Sequence, residues 1–440
     1  MPDLLRPRIC AACCAAAILL VFAGRTSAQT SQPTAPPAPT TQPVAPSYDL
    51  LTTPQLTGSW FGLRPRLEEM GISINVVQTT AFQQNVRGGL NTHHAHDFSG
   101  DLRLNLTFDL DRMGLLDGGL VFIRLKETFN EGVKADVGSL SRTAFVLDEG
   151  DESIVVDKWW YRQFLLDKKI EIRVGKLLTP VDLLDNAVYA RNPWSQFLNS
   201  TLSLNPTVPH TKTLGAYLRV QPVDWFHFHM VGADAYMRQT RTGFDTTFHG
   251  KAEFNGIWEG VLTPRFSSAN GDLPGNYRFG WWYSGRVKTR FIDDLGGLRA
   301  VQTNRGDQGG YLSFDQLVWK ENADAKDTQG IGLFLRYGFA DRRFNRIQHF
   351  WSFGGQYEGI LPGRDRDVLA FGVAQSILSS QYRHNVDARA DRETVYELYY
   401  RIQVTPWCEI TPDIQFITQP GGLKDARDAL VGGVRVLINL

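Results

Sequence analysis

The residues of this chain best suited to chemistry are Arg103, Asn105, Arg124, Lys126, Glu171, Arg173, Asp182, Asp185, Arg191 and Trp194. Guanidinium and carboxylate groups bind hydroxyls more strongly than neutral groups do. An aromatic face stacks on apolar ring surface. Such a set can hold polar solutes through several weak contacts. No compact Ser/His/Asp arrangement stands out, so no catalytic residue is assigned and the chain is not read as an enzyme. Triads need not be close in sequence, however, and a barrel enzyme stays open as a rival. The run "HHAH" (His93, His94, His96) lies in a loop with only Asp97 nearby, and "WFHFHM" puts His227 and His229 on one strand face; neither is assigned a metal. "DGGL" and "QPGG" are turns outside any strand-to-helix setting, and no cofactor is assigned.

These side chains must be positioned by extended segments. In "GDLRLNLTFDL" (100–110), Leu102, Leu104, Leu106, Phe108 and Leu110 share one side, and Asp101, Arg103, Asn105, Thr107 and Asp109 share the other. The same period of two recurs in "KIEIRV", "ETVYELYYRIQV" and "CEITPDIQF", whereas "IVVDKWWYRQF" and "YLSFDQLVW" read in either register. Candidate strands begin near Ile72, Asp101, Leu120, Ile154, Lys169, Thr213, Asp224, Lys251, Tyr277, Gly310, Ile331, Ile347, Arg366, Thr394, Cys408 and Val431. The total is about 16, an even number, as single-chain bacterial barrels require. Pro412 interrupts one strand and is placed near its end. Cys408 falls on the apolar side.

The gaps alternate in length. Those at 83–99, 129–153, 177–212, 237–250, 292–308 and 376–392 are long, and those at 165–168, 221–224 and 405–407 are tight. Two break the rule: 260–276 is too long and 340–346 too short. Short turns at one end and long loops at the other are the habit of outer-membrane barrels. A soluble sandwich predicts no such asymmetry. Tyr396, Tyr400, Trp351, Phe353, Tyr357, Trp281 and Tyr283 suit interfacial girdles on the apolar side. "VRVLIN" carries the alternation to Leu440, as closure against the first strand demands. The expected fold is therefore all-β, a transmembrane up-and-down antiparallel β-barrel with its leucines in lipid and its charges in a wet bore.

Acidic and basic residues balance at 46 each, which is no electrostatic footprint for nucleic acid. Residues 1–28 read as a secretory signal peptide: Arg6 and Arg8, an apolar middle, then "TSA" ending at Ala28. Its loss leaves Cys408 as the remaining cysteine, so no internal disulfide forms. Residues 29–47, rich in Pro, Thr and Gln, form a disordered linker. Residues 48–71 form an N-terminal plug segment, and 72–440 the barrel. Within the plug, 59–70 is expected to be a short helix capped by Ser59, with Leu63, Leu67 and Met70 on one face and Gly71 ending it.

Several stretches together resemble one family. They are "LTGSWFGLRPRLEEMGI", "IRVGKLLTPVDLLDN", "FLNSTLSLNPTVP", "LGAYLRVQPVDWF", "GDLPGNYRFGWWY", "YEGILPGRDRDVLAFGVA" and "YELYYRIQVTPWCEITPDIQFITQPGG". In this order they are similar to the carbohydrate-selective outer-membrane porins of the OprB type. Phe61 stands where that family usually has Gly, and Leu440 where Phe is usual. The resemblance implies a 16-stranded barrel passing mono- and small oligosaccharides by passive diffusion, a short N-terminal helix at the periplasmic mouth, and a constriction loop in the gap 177–212. That loop would supply Asp182, Asp185, Arg191, Trp194 and Asn199, and the wall Arg103, Arg124, Lys126, Glu171 and Arg173. The implied partners are carbohydrates, outer-membrane lipid and the barrel-assembly machinery, with the chain a monomer or homotrimer and no nucleic acid bound. A general or small-anion porin and a secreted sugar-binding β protein are the other readings.

Overall fold

The computed structural model describes residues 49–144, 154–180, 182–185, 187–236, 253–291, 303–324 and 326–440. The expected signal peptide and linker lie outside them. Sixteen antiparallel strands close a barrel. In chain order they are β1 (Ile72–Arg87), β2 (His96–Asp109), β3 (Gly119–Phe129), β4 (Val155–Leu165), β5 (Ile170–Thr179), β6 (Thr211–Val223), β7 (Phe226–Asp234) and β8 (Phe254–Leu262). The circuit continues with β9 (Gly271–Ser284), β10 (Asp307–Lys320), β11 (Gly330–Ala340), β12 (Ile347–Glu358), β13 (Val368–Leu378), β14 (Arg392–Thr405), β15 (Cys408–Thr418) and β16 (Ala429–Asn439). Each strand pairs with its neighbours in sequence. The ring shuts where β1 meets β16, Val77 opposite Asn439 and Asn85 opposite Val431. No open edge is left among them, which is the condition for strands to cross hydrocarbon.

The two faces of the wall are inverted relative to a soluble protein. Asp101, Arg103, Glu259, Arg278, Asp315, Arg336, Glu397, Asp413 and Arg435 point inward and are buried. Phe228, Phe279, Leu312, Leu335, Phe353, Phe371, Leu398 and Phe416 point outward and are exposed. The leucines of 100–110 thus face lipid. Outward aromatics pair across strands, Trp319 with Tyr357 at 5.8 Å and Trp281 with Phe339 at 5.9 Å between ring centres.

Both segments that read in either register contain a bulge. Arg124 opposes Lys158 while Leu125 opposes Val156, so Asp157 is an extra residue in β4. Leu317 opposes Gly332 while Trp319 opposes Ile331, so Val318 is extra in β10. An inserted residue swaps every side chain beyond it to the opposite face, which is why one period of two cannot fit either stretch. Pro412 sits in the middle of β15, not near its end. Its ladder to β14 lapses there, between Tyr399–Asp413 and Ile402–Ile410, so its missing N–H costs no bond. The overlong gap at 260–276 contracts to 263–270, because residues Arg265–Ser268 pair with Gly271–Pro274 as a hairpin extending β9.

The N-terminal segment lies at the tight-turn end, against the closing seam. Leu56 N–H donates to the Asn439 carbonyl (2.8 Å), and Trp407 Nε1 donates to the Leu50 carbonyl (2.6 Å). The helix is shorter than expected, α1 (Leu63–Glu69), with Gly62 rather than Ser59 at its N-cap. Trp60, Phe61 and Gly62 have φ of 51°, 57° and 86°, a left-handed run no helix admits. Leu63 and Met70 are exposed, and the buried residue is Arg64, which donates to Gly58 and Leu440 carbonyls (2.5 and 3.1 Å). Gly71 does end the helix, at φ 86°.

Candidate functional site

The long connection between β5 and β6 turns into the barrel. Phe197 packs edge-on against inward-facing Phe334 and Tyr399, at 5.7 and 5.1 Å between ring centres. Leu183 and Leu184 share a buried cluster with Trp282 and Tyr311 of the wall. Charged wall residues then grip the loop backbone. Leu198 and Asn199 N–H donate to Glu397 (2.6 and 3.0 Å), Asp185 N–H to Glu259 (2.7 Å) and Val188 N–H to Asp315 (3.2 Å). Arg435 donates to the Pro193 and Gln196 carbonyls (3.1 and 2.7 Å), and Arg336 to that of Leu202 (2.8 Å). Hydrogen bonds to a charged group are individually the strong ones. The wall also lacks side chains where the loop leans on it. A Cβ at Gly332 would lie 2.2 Å from the Tyr189 ring, and one at Gly338 2.2 Å from Thr207 Oγ1.

A second insert narrows the bore. Val133 and Val137 of the β3–β4 connection are buried in the same interior, Ser139 Oγ and Leu140 N–H donate to Glu393 (2.8 and 2.7 Å), and Thr143 Oγ1 donates to Gln83 (2.9 Å). The sequence marked this gap as long but gave no sign that it folds inward.

Four of the expected residues converge where the β5–β6 loop meets β2 and β3. Trp194 Nε1 donates to Asp101 (3.0 Å), and the Arg103 guanidinium lies over the indole, 4.2 Å from its centre. Arg103 pairs with Asp101 (3.2 Å) and donates to Thr79 Oγ1 (2.9 Å). Arg124 donates through Nε to Asn105 (2.6 Å), and Asn105 donates to Asn75 (3.1 Å). The Arg124 guanidinium stands 5.6 Å from the Trp194 ring centre. Arg124, Asn105 and Trp194 are each partly exposed to the bore.

The remaining residues are placed differently. Lys126 is buried in the wall above Arg124. Asp182 pairs with Lys158, beside a second pair of Asp157 with Lys212 at 2.8 Å. Glu171 bridges Arg173 (2.5 Å) and Arg219 (3.4 Å) nearer the tight-turn end, apart from the loop. Asp185 is buried beside Arg336 at 3.8 Å, and burial raises its carboxyl above the usual range. Arg191 is exposed, with no hydrogen-bond or ion-pair partner among the described residues. His229 faces the bore beside Glu259 at 3.4 Å, and His93 and His94 touch in an exposed loop at 4.0 Å between rings. No group of metal-ligating side chains forms among the described residues.

Three inward aromatics escaped the sequence reading. Phe122 and Trp160 stack with centres 5.0 Å apart and planes 20° off parallel, and the Arg173 guanidinium lies 4.8 Å from the Trp160 centre and 5.6 Å from that of Tyr217. The pair "WW" at 159–160 was visible, but the bulge at Asp157 decides which Trp turns inward.

Residues 93–440 match the family model described as carbohydrate-selective porin, OprB family. Porin B of Pseudomonas aeruginosa is 23% identical over 422 residues, covering 87% of this chain and 90% of that protein. A putative porin, QuiX, of Acinetobacter baylyi is 23% identical over 419 residues, covering 87% and 92%. The high-pH structure of Pseudomonas putida OprB shares the fold, with a TM-score of 0.78 at 20% identity, over 89% of this chain and 99% of that one. The closed barrel is shared with that structure, and the chain belongs to the OprB family of carbohydrate-selective porins of the outer membrane.

Proposed function

We propose that the junction of Arg103, Asn105, Arg124 and Trp194 is where the channel recognises its solutes, mono- and small oligosaccharides moving down their gradient. The observation that carries this is the indole of Trp194, held by Asp101 and braced by Arg103 at the tip of a loop that crosses the bore. A pyranose offers an apolar C–H face, which an indole meets by stacking. Its hydroxyls meet Asn105 and the outer fork of Arg124. The contacts are few, so a solute leaves as readily as it enters. Lys126, Asp182 and Asp185 support this reading as an ionic frame for loop and wall, Glu171 and Arg173 as an ion-paired part of the wall nearer the tight-turn end, and Arg191 as a further donor on the loop. Residues 1–28 are taken to be removed on export.

The test is solute flux into proteoliposomes. Wild-type protein passes glucose faster than an amino acid of similar mass. Trp194→Ala lowers that ratio by about threefold to tenfold, the worth of one stacked ring. An unchanged ratio in a correctly assembled barrel, judged by heat-dependent gel mobility, overturns the assignment.

A further inference from the structure

Among the described residues the constriction is unbalanced in hydrogen-bonding capacity. Its carboxylates are committed: Asp101 to Arg103 and the Trp194 indole, Asp182 to Lys158, and Asp157 to Lys212. Across the bore Asp315 is held by Arg278 (2.6 Å) and Asn276 (2.7 Å), and Glu259 by Tyr311 (2.8 Å) and the Asp185 N–H. The donors are in surplus. Among the described residues Arg124 donates through Nε alone, to the neutral Asn105, and its two terminal nitrogens have no partner. Arg191 makes no bond at all among the described residues.

A neutral hydroxyl both donates and accepts, and its O–H finds no partner on a surface of free donors. A carboxylate only accepts, and its two oxygens match the two parallel N–H groups of a guanidinium fork. We infer that the free fork of Arg124, with Trp194 beside it and Arg191 on the same loop, is a site for carbohydrates bearing a carboxylate, which it holds in preference to their neutral counterparts. This rests on the junction being the recognition site and adds the charge class of the preferred solute. Trp194 meets the ring and Arg124 meets the acid group.

The probes are D-glucose and D-glucuronate, which differ only in oxidation at C6. In proteoliposomes at low ionic strength, glucuronate is expected to inhibit labelled glucose flux at a concentration about tenfold below that at which glucose inhibits itself. Raising the salt should erode that advantage, since exposed charges are screened. Arg124→Gln should bring the two inhibition constants together. Arg124→Lys should leave the reversal potential in a salt gradient as in the wild type while losing part of the glucuronate advantage, because an ammonium is a point charge without a fork. Equal inhibition by both probes in the wild type, or an undiminished glucuronate advantage in Arg124→Gln with normal heat-dependent mobility, overturns the inference. Neither result touches the comparison of glucose with an amino acid, so the broader sugar reading stands or falls separately.

Discussion

At the scale of single residues, several side chains hold conformations that their neighbours impose. Phe61 occupies a left-handed backbone at φ 57° with its ring fully exposed. Glycine adopts such a φ without steric cost, and Phe does not. His210 closes the inner loop just before β6. Its ring Nε2 is enclosed with no partner among the described residues, and burial lowers its pKa to about 4. The neutral ring is therefore favoured in the folded state. Its contribution is complete above the ordinary His pKa of about 6.5 and is lost as the pH falls from there toward 4, because the unfolded chain takes up the proton first. Between pH 7 and pH 5 the wild type should lose about 1 kcal/mol more stability than His210→Gln, after allowance for the solvent that reaches part of the ring. Urea unfolding at the two pH values measures it, and parallel losses would remove His210 as the cause.

At the scale of elements, the strands were legible because lipid outside and water inside enforce a strict period of two. "KIEIRV", "ETVYELYYRIQV" and "CEITPDIQF" face as they read. Legibility failed where an element departs from that period for a local reason: the bulges at Asp157 and Val318, and the left-handed run at 60–62 that delays α1. The site was half legible. Arg103, Asn105, Arg124 and Trp194 meet, but which charges would be consumed in pairs depends on contacts across the bore that no linear pattern encodes. The inner loop is fixed both by its ionic grips and by space. Gly338→Val would drive a methyl into Asn205 and Thr207, an overpacking that costs about 1 to 3 kcal/mol and pushes the loop off the wall. Larger oligosaccharides should then swell proteoliposomes that wild-type channels leave intact. Gly432→Val, on the outward face with open space around it, should leave the size limit unchanged. Equal size limits for wild type and Gly338→Val would refute the keyed loop.

At the scale of the whole molecule, stability comes from a solvent arrangement opposite to that of a soluble protein. Leu335 lies mid-strand on the outward face of β11, and Leu335→Arg should cost about 2 to 4 kcal/mol in bilayers. Gln356 lies on the inward face of β12, partly exposed to the bore, and Gln356→Arg should cost less than about 1 kcal/mol. Unfolding titrations in lipid vesicles separate the two, and similar losses at both positions would contradict the assignment of faces. The hollows at Gly332 and Gly338 carry a last consequence. A diaphragm seated in sockets cut to its own outline has nowhere to swing, so it works as a fixed aperture and not as a shutter. Supply through such a channel is then expected to follow how many copies the envelope holds.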